Sequence, residues 1–594
     1  MRKLLVLPLL IISLIFLLTA CQGDSQNEFD VAFDKLSDSM LTEVHNDYTL
    51  PYLSDSIFSV VYRIDGTVVV DNLIVYDNPQ VDIVIMIDAY ISNGEVNRKY
   101  EFIITQLKSE YSDEELFFNG IFEVVENQVP EVLMSHLTLP VYDDDSVLLS
   151  YSSNCAEIEH GRIIYPFPTE DTACVLRVSV TVDDVTKSNE MVLVFSGIDN
   201  LPKIPEIYIT TEGNAEIESN KEYISGSLTV ISDGSFDNAD ITNESLSIRL
   251  RGNSTLWMPK LSYKIKFDEK TKLLNDNSEK DWVLLANFAD QTLIRTALAY
   301  NMASELNMSF APSVTFVDVY VNGVYQGNYM LTDQIEVTND RVDIEENVPD
   351  IDTGYLIEFD KGLWRSDEEI ASSNYFVVDG IPFVLKSPQI EDDHYSAAQK
   401  QYIKEYVEDV LNALEAGDDY SALIDEASFI DWFIVSEVFK NVDSGYSSVY
   451  FYKDKGGKLE MGPVWDFDLS TGNPGHLGDD LRGPEGWYTN RWDKNLFFAY
   501  LMNYPSFQEN LKARWNEVYD ETILGLLDDV YYYSDSITDS RYQNFELWDI
   551  IGTNEEWYTA PEILELQTYD EQVWFLYDYL QVRIMWLDKE INKF

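Results

Sequence analysis

Between residues 28 and 196 the chain repeats itself at a spacing of 89 residues. Thr49-Leu50-Pro51 returns as Thr138-Leu139-Pro140, Tyr62 as Tyr151, and Tyr76 as Tyr165. The strand-like Phe102-Ile-Ile returns as Met191-Val-Leu at the same offset. One matched pair is coincidence; several at one spacing are a duplicated unit. Within each copy, apolar and polar residues alternate, as in Val81-Asp-Ile-Val-Ile-Met-Ile-Asp and Leu176-Arg-Val-Ser-Val-Thr-Val. Period-two alternation between turn residues predicts half-buried strands, and hence two all-β sandwiches.

These repeats resemble the atrophied bacterial immunoglobulin-like modules of surface proteins. The first is expected over residues 47–108, with flanks from about 28 and to about 120, and the second over residues 121–197. Neither carries a catalytic grouping, so a spacer or contact role is expected. Asp143-Asp144-Asp145 lacks a calcium-loop frame and reads as a solvated turn.

Ahead of the repeats, Met1-Arg2-Lys3 precedes an apolar run from Leu4 to Leu18 that ends in Leu18-Thr19-Ala20-Cys21. Small residues before a cysteine at this point resemble the lipobox of bacterial lipoproteins, with an ordinary secretory signal or an uncleaved anchor helix as the other readings. The resemblance implies a signal peptide over residues 1–20, a lipidated Cys21, and a tether over residues 21–46. An extracytoplasmic, membrane-anchored chain follows. Its other two cysteines, Cys155 and Cys174, both lie in the second repeat. An even pair in an exported chain predicts a disulfide, with two buried thiols as the alternative.

Asp and Glu number 105 against 40 Lys and Arg, a formal charge of −65. That balance excludes a nucleic-acid partner and a polybasic membrane-surface mode. The reverse holds locally: residues 249–266 contain Arg249, Arg251, Lys260, Lys264 and Lys266 and no acid. Ser247 to Arg251 and Leu261 to Phe267 alternate as strands around the small-residue turn Gly252-Asn253-Ser254-Thr255. If Tyr263, Ile265 and Phe267 face a core, Ser262, Lys264 and Lys266 share the other face. Such a turn and basic strand can hold phosphate through backbone N–H groups and ammonium charge, although strand lysines are commonly only solvated.

Asp290 is placed to cap a helix running to about Leu306, and Asn322-Gly323 marks a hairpin. Beyond about residue 395 the pattern turns helical, predicting an α+β, two-lobed domain. Between strands and helices lie Asp443 and, 23 residues on, Asp466 in Trp465-Asp-Phe-Asp468. A carboxylate to orient a hydroxyl and another to hold a divalent cation are the parts phosphoryl transfer requires. The five histidines show no zinc spacing, and no nucleophile-elbow motif is present.

Arg251-Gly-Asn-Ser-Thr, Pro259-Lys-Leu-Ser-Tyr-Lys-Ile-Lys-Phe, Leu284-Leu-Ala-Asn287-Phe, Tyr320-Val-Asn-Gly-Val-Tyr-Gln-Gly-Asn-Tyr329, Gly354-Tyr-Leu-Ile-Glu and Trp465-Asp-Phe-Asp468 stand in that order. Together they resemble the spore-coat CotH kinase family, an atypical relative of protein kinases. The resemblance implies a protein-kinase-like domain over residues 204–540, with residues 541–594 as a helical extension. It also implies ATP and Mg²⁺ (or Mn²⁺) as cofactors and a Ser-containing surface or coat protein as acceptor. Asp443 takes the catalytic position and Asp466 the metal-holding one, with Asp468 and Ser448 beside it. Lys264 contacts phosphate, with Lys260 and Lys266 as alternatives and Arg251, Gly252, Asn253 and Ser254 as the phosphate turn. Ser448 stands where protein kinases carry a metal-binding Asn, and the Gly-x-Gly-x-x-Gly loop is missing. These departures support the alternative, a non-catalytic pseudokinase or scaffold module. The carboxylate partner of the lysine is open between Glu305 and Glu336.

Overall fold

The computed structural model describes residues 25–594 apart from 45–46, 54–57, 65–66, 76–82, 94–95, 108–112, 145, 233–240, 346–349, 362–373, 390–394 and 555. The segment expected to be a signal peptide, Cys21 and Tyr76 therefore lie outside the described residues. These residues fall into two compact units. One runs to Val129 and adds Pro140–Ser150 and Arg177–Asn189; the other holds Pro130–Leu139, Tyr151–Leu176 and Glu190–Phe594. Among the described residues no helix is long and apolar enough to cross a membrane.

The 89-residue offset holds in the hydrogen bonding. Glu43 pairs in parallel with Thr105, and Val132 with Val194. Tyr48 pairs with Ile74, and Leu137 with Ile163. Leu50 N donates to Asn72 O (2.7 Å), and Leu139 N to Gly161 O (2.9 Å). Every one of these partners differs by the same spacing.

The strands expected of this region are present. Each copy also opens with a helix that the alternation did not reveal: α1 (Ser25–Ser39) and α2 (Asp113–Gln128). Phe29, Ala32 and Leu36 of α1 share one core with Tyr62, Ile87, Ile91 and Ile104. The copies therefore begin near residues 25 and 113, where a flank from about 28 was expected for the first and a start at 121 for the second. Cys155 and Cys174 form a disulfide. Asp144 accepts from Ser146 N (2.9 Å) and Oγ (2.7 Å), closing a local turn.

From Glu206 a closed barrel begins. Its strands are β1 (Glu206–Thr211), β2 (Ile224–Ile231), β3 (Glu244–Arg251), β4 (Ser262–Lys272), β5 (Ser278–Leu285), β6 (Thr315–Val321) and β7 (Val324–Asp333). The order is β1-β2-β3-β4-β5-β7-β6, closed by parallel pairing of β6 with β1. Alternation along β4 sends Tyr263, Ile265 and Phe267 into a core shared with Ile207, Ile248 and Trp282. Closure leaves no free sheet edge. The β6–β7 hairpin turns at Asn322 (φ 52°) and Gly323 (φ 79°), the left-handed pair that a two-residue turn requires.

Helix α3 (Arg295–Glu305) crosses from the barrel to a second core. Asp290, expected as its cap, accepts from Arg295 N (2.8 Å) and from Thr292 N (2.9 Å) and pairs with the Arg295 guanidinium. The second core is a five-stranded sheet among helices. Its strands are β8 (Tyr355–Phe359), β9 (Tyr375–Val378), β10 (Ile381–Ser387), β11 (Val449–Lys453) and β12 (Leu459–Met461), in the order β9-β10-β8-β11-β12. Helices α4 (Ala397–Ala416), α5 (Glu426–Val438), α6 (Pro505–Val518), α7 (Leu524–Ser536), α8 (Thr538–Leu547) and α9 (Tyr569–Ile591) follow or interleave. The expected extension at residues 541–594 is not an appendage. Val573, Leu576, Leu580, Ile584 and Leu587 of α9 belong to the same core as Phe433 and Trp515.

Candidate active site

A cleft of about 940 Å³ is lined from both cores. Strand β3 and the turn after it bring Arg251, Gly252, Asn253 and Ser254; β4 brings Lys264. From the far side come Asp443, Ser448, Asp466 and Asp468. Residues up to 217 positions apart in the chain thus meet in one cleft. Lys266 is the exception. It is exposed on the same strand face and does not line the cleft.

The turn after β3 demands its glycine. Gly252 has φ +110°, and a Cβ there would lie 1.8 Å from Thr255 Oγ1. Arg251 lies over the Trp465 ring, 5.2 Å from its centroid. Lys264 Nζ is 2.8 Å from Asp281 Oδ1 on the adjacent β5. Its partner is a strand carboxylate, neither Glu305 nor Glu336. Glu336 pairs with Arg341, and Glu305 accepts from Asn301 at 3.0 Å.

Lys260 is corrected as a phosphate contact. Its ammonium is buried and donates to Ala286 O (3.0 Å), Asn328 O and Asn544 Oδ1 (2.9 Å). Three acceptors use all three of its protons, leaving none for a phosphate. Burial pushes its pKa down to about 7. The residue ties the barrel to α8.

Asp443 sits in a tight turn, Val442–Gly445, which follows α5 and a cap by Asn441, whose Oδ1 accepts from Asp443 N (2.9 Å). Asp466 and Ser448 both adopt left-handed backbone, φ 66° and 59°. Such strain in non-glycine residues persists where the surroundings impose it and gathers at functional sites. Ser448 Oγ donates to Asp466 Oδ2 at 3.3 Å, joining the two turns.

Burial raises all three carboxylates, and neighbouring acids add to it. Asp443 is held well above the usual range by burial and then by Asp466, Asp468 and Asp360. Burial raises Asp466, opposed by Arg251 and by the Ser448 hydrogen bond. Asp468 is pushed up to about 8 by burial, with Asp466 and Asp290 adding. Crowded acids of this kind are relieved by a cation.

Among the described residues no three His, Cys, Asp or Glu side chains make a metal-holding group by themselves. Mg²⁺ needs none, since it commonly takes one or two carboxylates, with waters and phosphate oxygens completing its shell. Asp466, Asp468 and the Ser448 hydroxyl are hard oxygen donors, so the residues fit the ion that the resemblance implies.

Glu358, Asp360 and Lys386 also line the cleft, with Lys386 Nζ 3.0 Å from Glu358 Oε2. Glu358 ends the block Gly354-Tyr-Leu-Ile-Glu, but no pattern in the sequence brings it, Asp360 or Lys386 into the cleft with Asp466.

No curated protein matches the chain. Among solved structures, Drosophila N-cadherin EC1-4 is similar at 12% identity, covering 38% of this chain and 69% of that one. Its TM-score of 0.11 is too low to bear on the fold. A family model described as CotH kinase protein matches residues 248–587, more than half of the 594 residues. The chain belongs to the CotH kinase protein family.

Proposed function

We propose that the protein is an exported, lipid-anchored kinase that transfers phosphate from ATP to serine of a surface or coat protein. The observation that carries this reading is the meeting of Asp443, Asp466 and Asp468 with Arg251 and Lys264 in one cleft. The barrel beside a separate helical core suits a protein-kinase-like, two-lobed arrangement with the nucleotide between the cores.

Arg251, Lys264 and the Gly252-Asn253-Ser254 turn bind the phosphates of ATP, and Asp281 keeps Lys264 extended along the barrel. Asp466 and Asp468 hold Mg²⁺ or Mn²⁺, with Ser448 beside them. When bound, the ion neutralises phosphate charge. Asp443 orients the incoming serine hydroxyl and takes its proton on a carboxylate oxygen. A membrane anchor at Cys21 would keep this chemistry outside the cytoplasm.

Purified protein with ATP, Mg²⁺ and a serine-rich acceptor should yield phosphoserine by mass spectrometry, and Asp466→Asn should reduce the rate at least about 100-fold. An Asp466→Asn protein as active as wild type would sink the assignment. The pseudokinase reading is favoured by one observation, a hydroxyl at Ser448 in place of a stronger amide ligand. A Mg²⁺-dependent thermal shift with ATP, without any transfer, would select it.

A further inference from the structure

The turn that carries Asp443 is closed by its own bonds to Asn441 and is also held from outside, by Asn495 Nδ2 at Ser444 O (3.1 Å) and by a second segment. Val442 O accepts from Tyr488 OH (3.0 Å), and Ser444 Oγ accepts from Thr489 Oγ1 (3.1 Å). Both donors come from one segment, residues 483–489, which has no helix or strand to fix it. It is fixed by Glu437, at the end of α5, whose carboxylate accepts from Tyr488 N (3.1 Å) and Thr489 N (2.5 Å). Glu437 is in turn paired with Arg583 of α9, Nη2 to Oε2 at 2.5 Å.

Arg583 is fully buried and spends its remaining donors on the same segment and helix. Nη1 donates to Pro484 O (2.9 Å) and Gly486 O (2.7 Å), and Nε to Glu437 O (2.7 Å). A buried ion pair usually stabilises less than well-packed apolar residues of the same size. Here each member instead satisfies backbone groups of an irregular segment. The pair does not line the cleft, yet Glu437 is two hydrogen-bond steps from the Val442 carbonyl and the Ser444 hydroxyl, which flank Asp443.

We infer that Arg583 and Glu437 are positioning residues for Asp443, acting through Tyr488 and Thr489. Resting on the kinase reading for its catalytic consequence, the inference assigns to the C-terminal helix a part in the reaction. The helix sets the height of the Asp443 turn in the cleft without contacting substrate. A shift of the turn leaves the nucleotide side untouched, because Arg251, Lys264 and Asp466 stand on other elements.

The test removes only the last links. Tyr488→Phe and Thr489→Val, combined, keep volume and leave Arg583 and Glu437 intact. In a well-positioned site, a misplacement near 1 Å costs about 100-fold, so the double variant should lose at least about tenfold in kcat. KM for Mg·ATP should stay within about twofold, and Thr489→Ser alone should keep wild-type kcat. Amide hydrogen exchange supplies a readout independent of activity: residues 441–446 should exchange faster in the double variant while α9 stays protected. Unchanged exchange in residues 441–446 overturns the inference, whatever the activity. So does wild-type kcat in the double variant. Absence of transfer by the wild-type protein would count against the kinase reading alone, with the exchange result still deciding the positioning role.

Discussion

Lys260 and Lys264 lie four residues apart, and the sequence offered both to the same phosphate. Alternation along β4 states which face a residue takes, not what waits on that face. Lys264 meets the cleft, whereas Lys260 precedes the strand and turns inward against Ala286, Asn328 and Asn544. This difference has a measurable sign. A lysine whose folded pKa is about 7 against an ordinary 10.5 binds its proton less readily in the folded chain. Between those values the unfolded chain holds the extra proton, so the contribution of Lys260 to stability rises with pH. Each pH unit in that window is worth at most about 1.4 kcal/mol. Urea unfolding of wild type and Lys260→Met at pH 7 and pH 9 should therefore diverge by about 1–3 kcal/mol, in favour of wild type at the higher pH. A constant difference would mean that the ammonium is not desolvated. Asp466 stood out in the sequence because it lies in the block Trp465-Asp-Phe-Asp468, and Asp443 by its place 23 residues ahead of it. Glu358 and Lys386, which line the cleft, and Asp281, which pairs with Lys264, were not legible there, since strand pairing that no local pattern encodes brings them into place.

At the scale of elements, periodicity identified most of the strands and did not reveal the helix that opens each copy. The helical spacing of Phe29, Ala32, Phe33 and Leu36 is present in the sequence, but the β alternation downstream of it is the stronger signal. Similarly, α9 was recognised as helical and detached from the domain it completes. Nothing in a helix's own pattern says which core its apolar face enters. Leu580 is fully buried in the core that also holds Phe433 and Trp515. Leu580→Ala should cost about 2–5 kcal/mol in equilibrium unfolding, as other core truncations do. An independent extension would show two transitions, with the mutation felt only in the smaller. A single shifted transition is expected.

For the whole chain, the duplication raises a question that charge and packing answer together. Two copies share one strand register, yet the second bears residues that the first lacks. His136, His160, Arg162 and Phe167 correspond at the 89-residue offset to Asp47, Asp71, Leu73 and Asn78. All four of the second set engage the helices of the family domain. Arg162 pairs with Asp535 and lies over the Tyr531 ring at 4.0 Å. His136 Nε2 is 3.0 Å from Asp570 Oδ1, and its Nδ1 accepts from Tyr165 N (2.8 Å). Phe167 stacks on Tyr542 and His160 on Trp574. A spacer would present solvated residues here, as the overall charge of −65 encourages. Instead this part of the second copy is built onto the domain, with Arg162 almost wholly buried. Removing one member of a buried pair strands the other, at a cost of about 3–5 kcal/mol. Arg162→Ala should therefore destabilise the family domain by about 3 kcal/mol in urea, with little dependence on salt because the pair is shielded from solvent. Leu73→Ala, the matching change in the first copy, should leave that transition where it is, since Leu73 is 40% exposed. Equal, small effects from both substitutions would return the second copy to the role of a spacer. An effect confined to Arg162→Ala makes it a structural part of the domain it precedes.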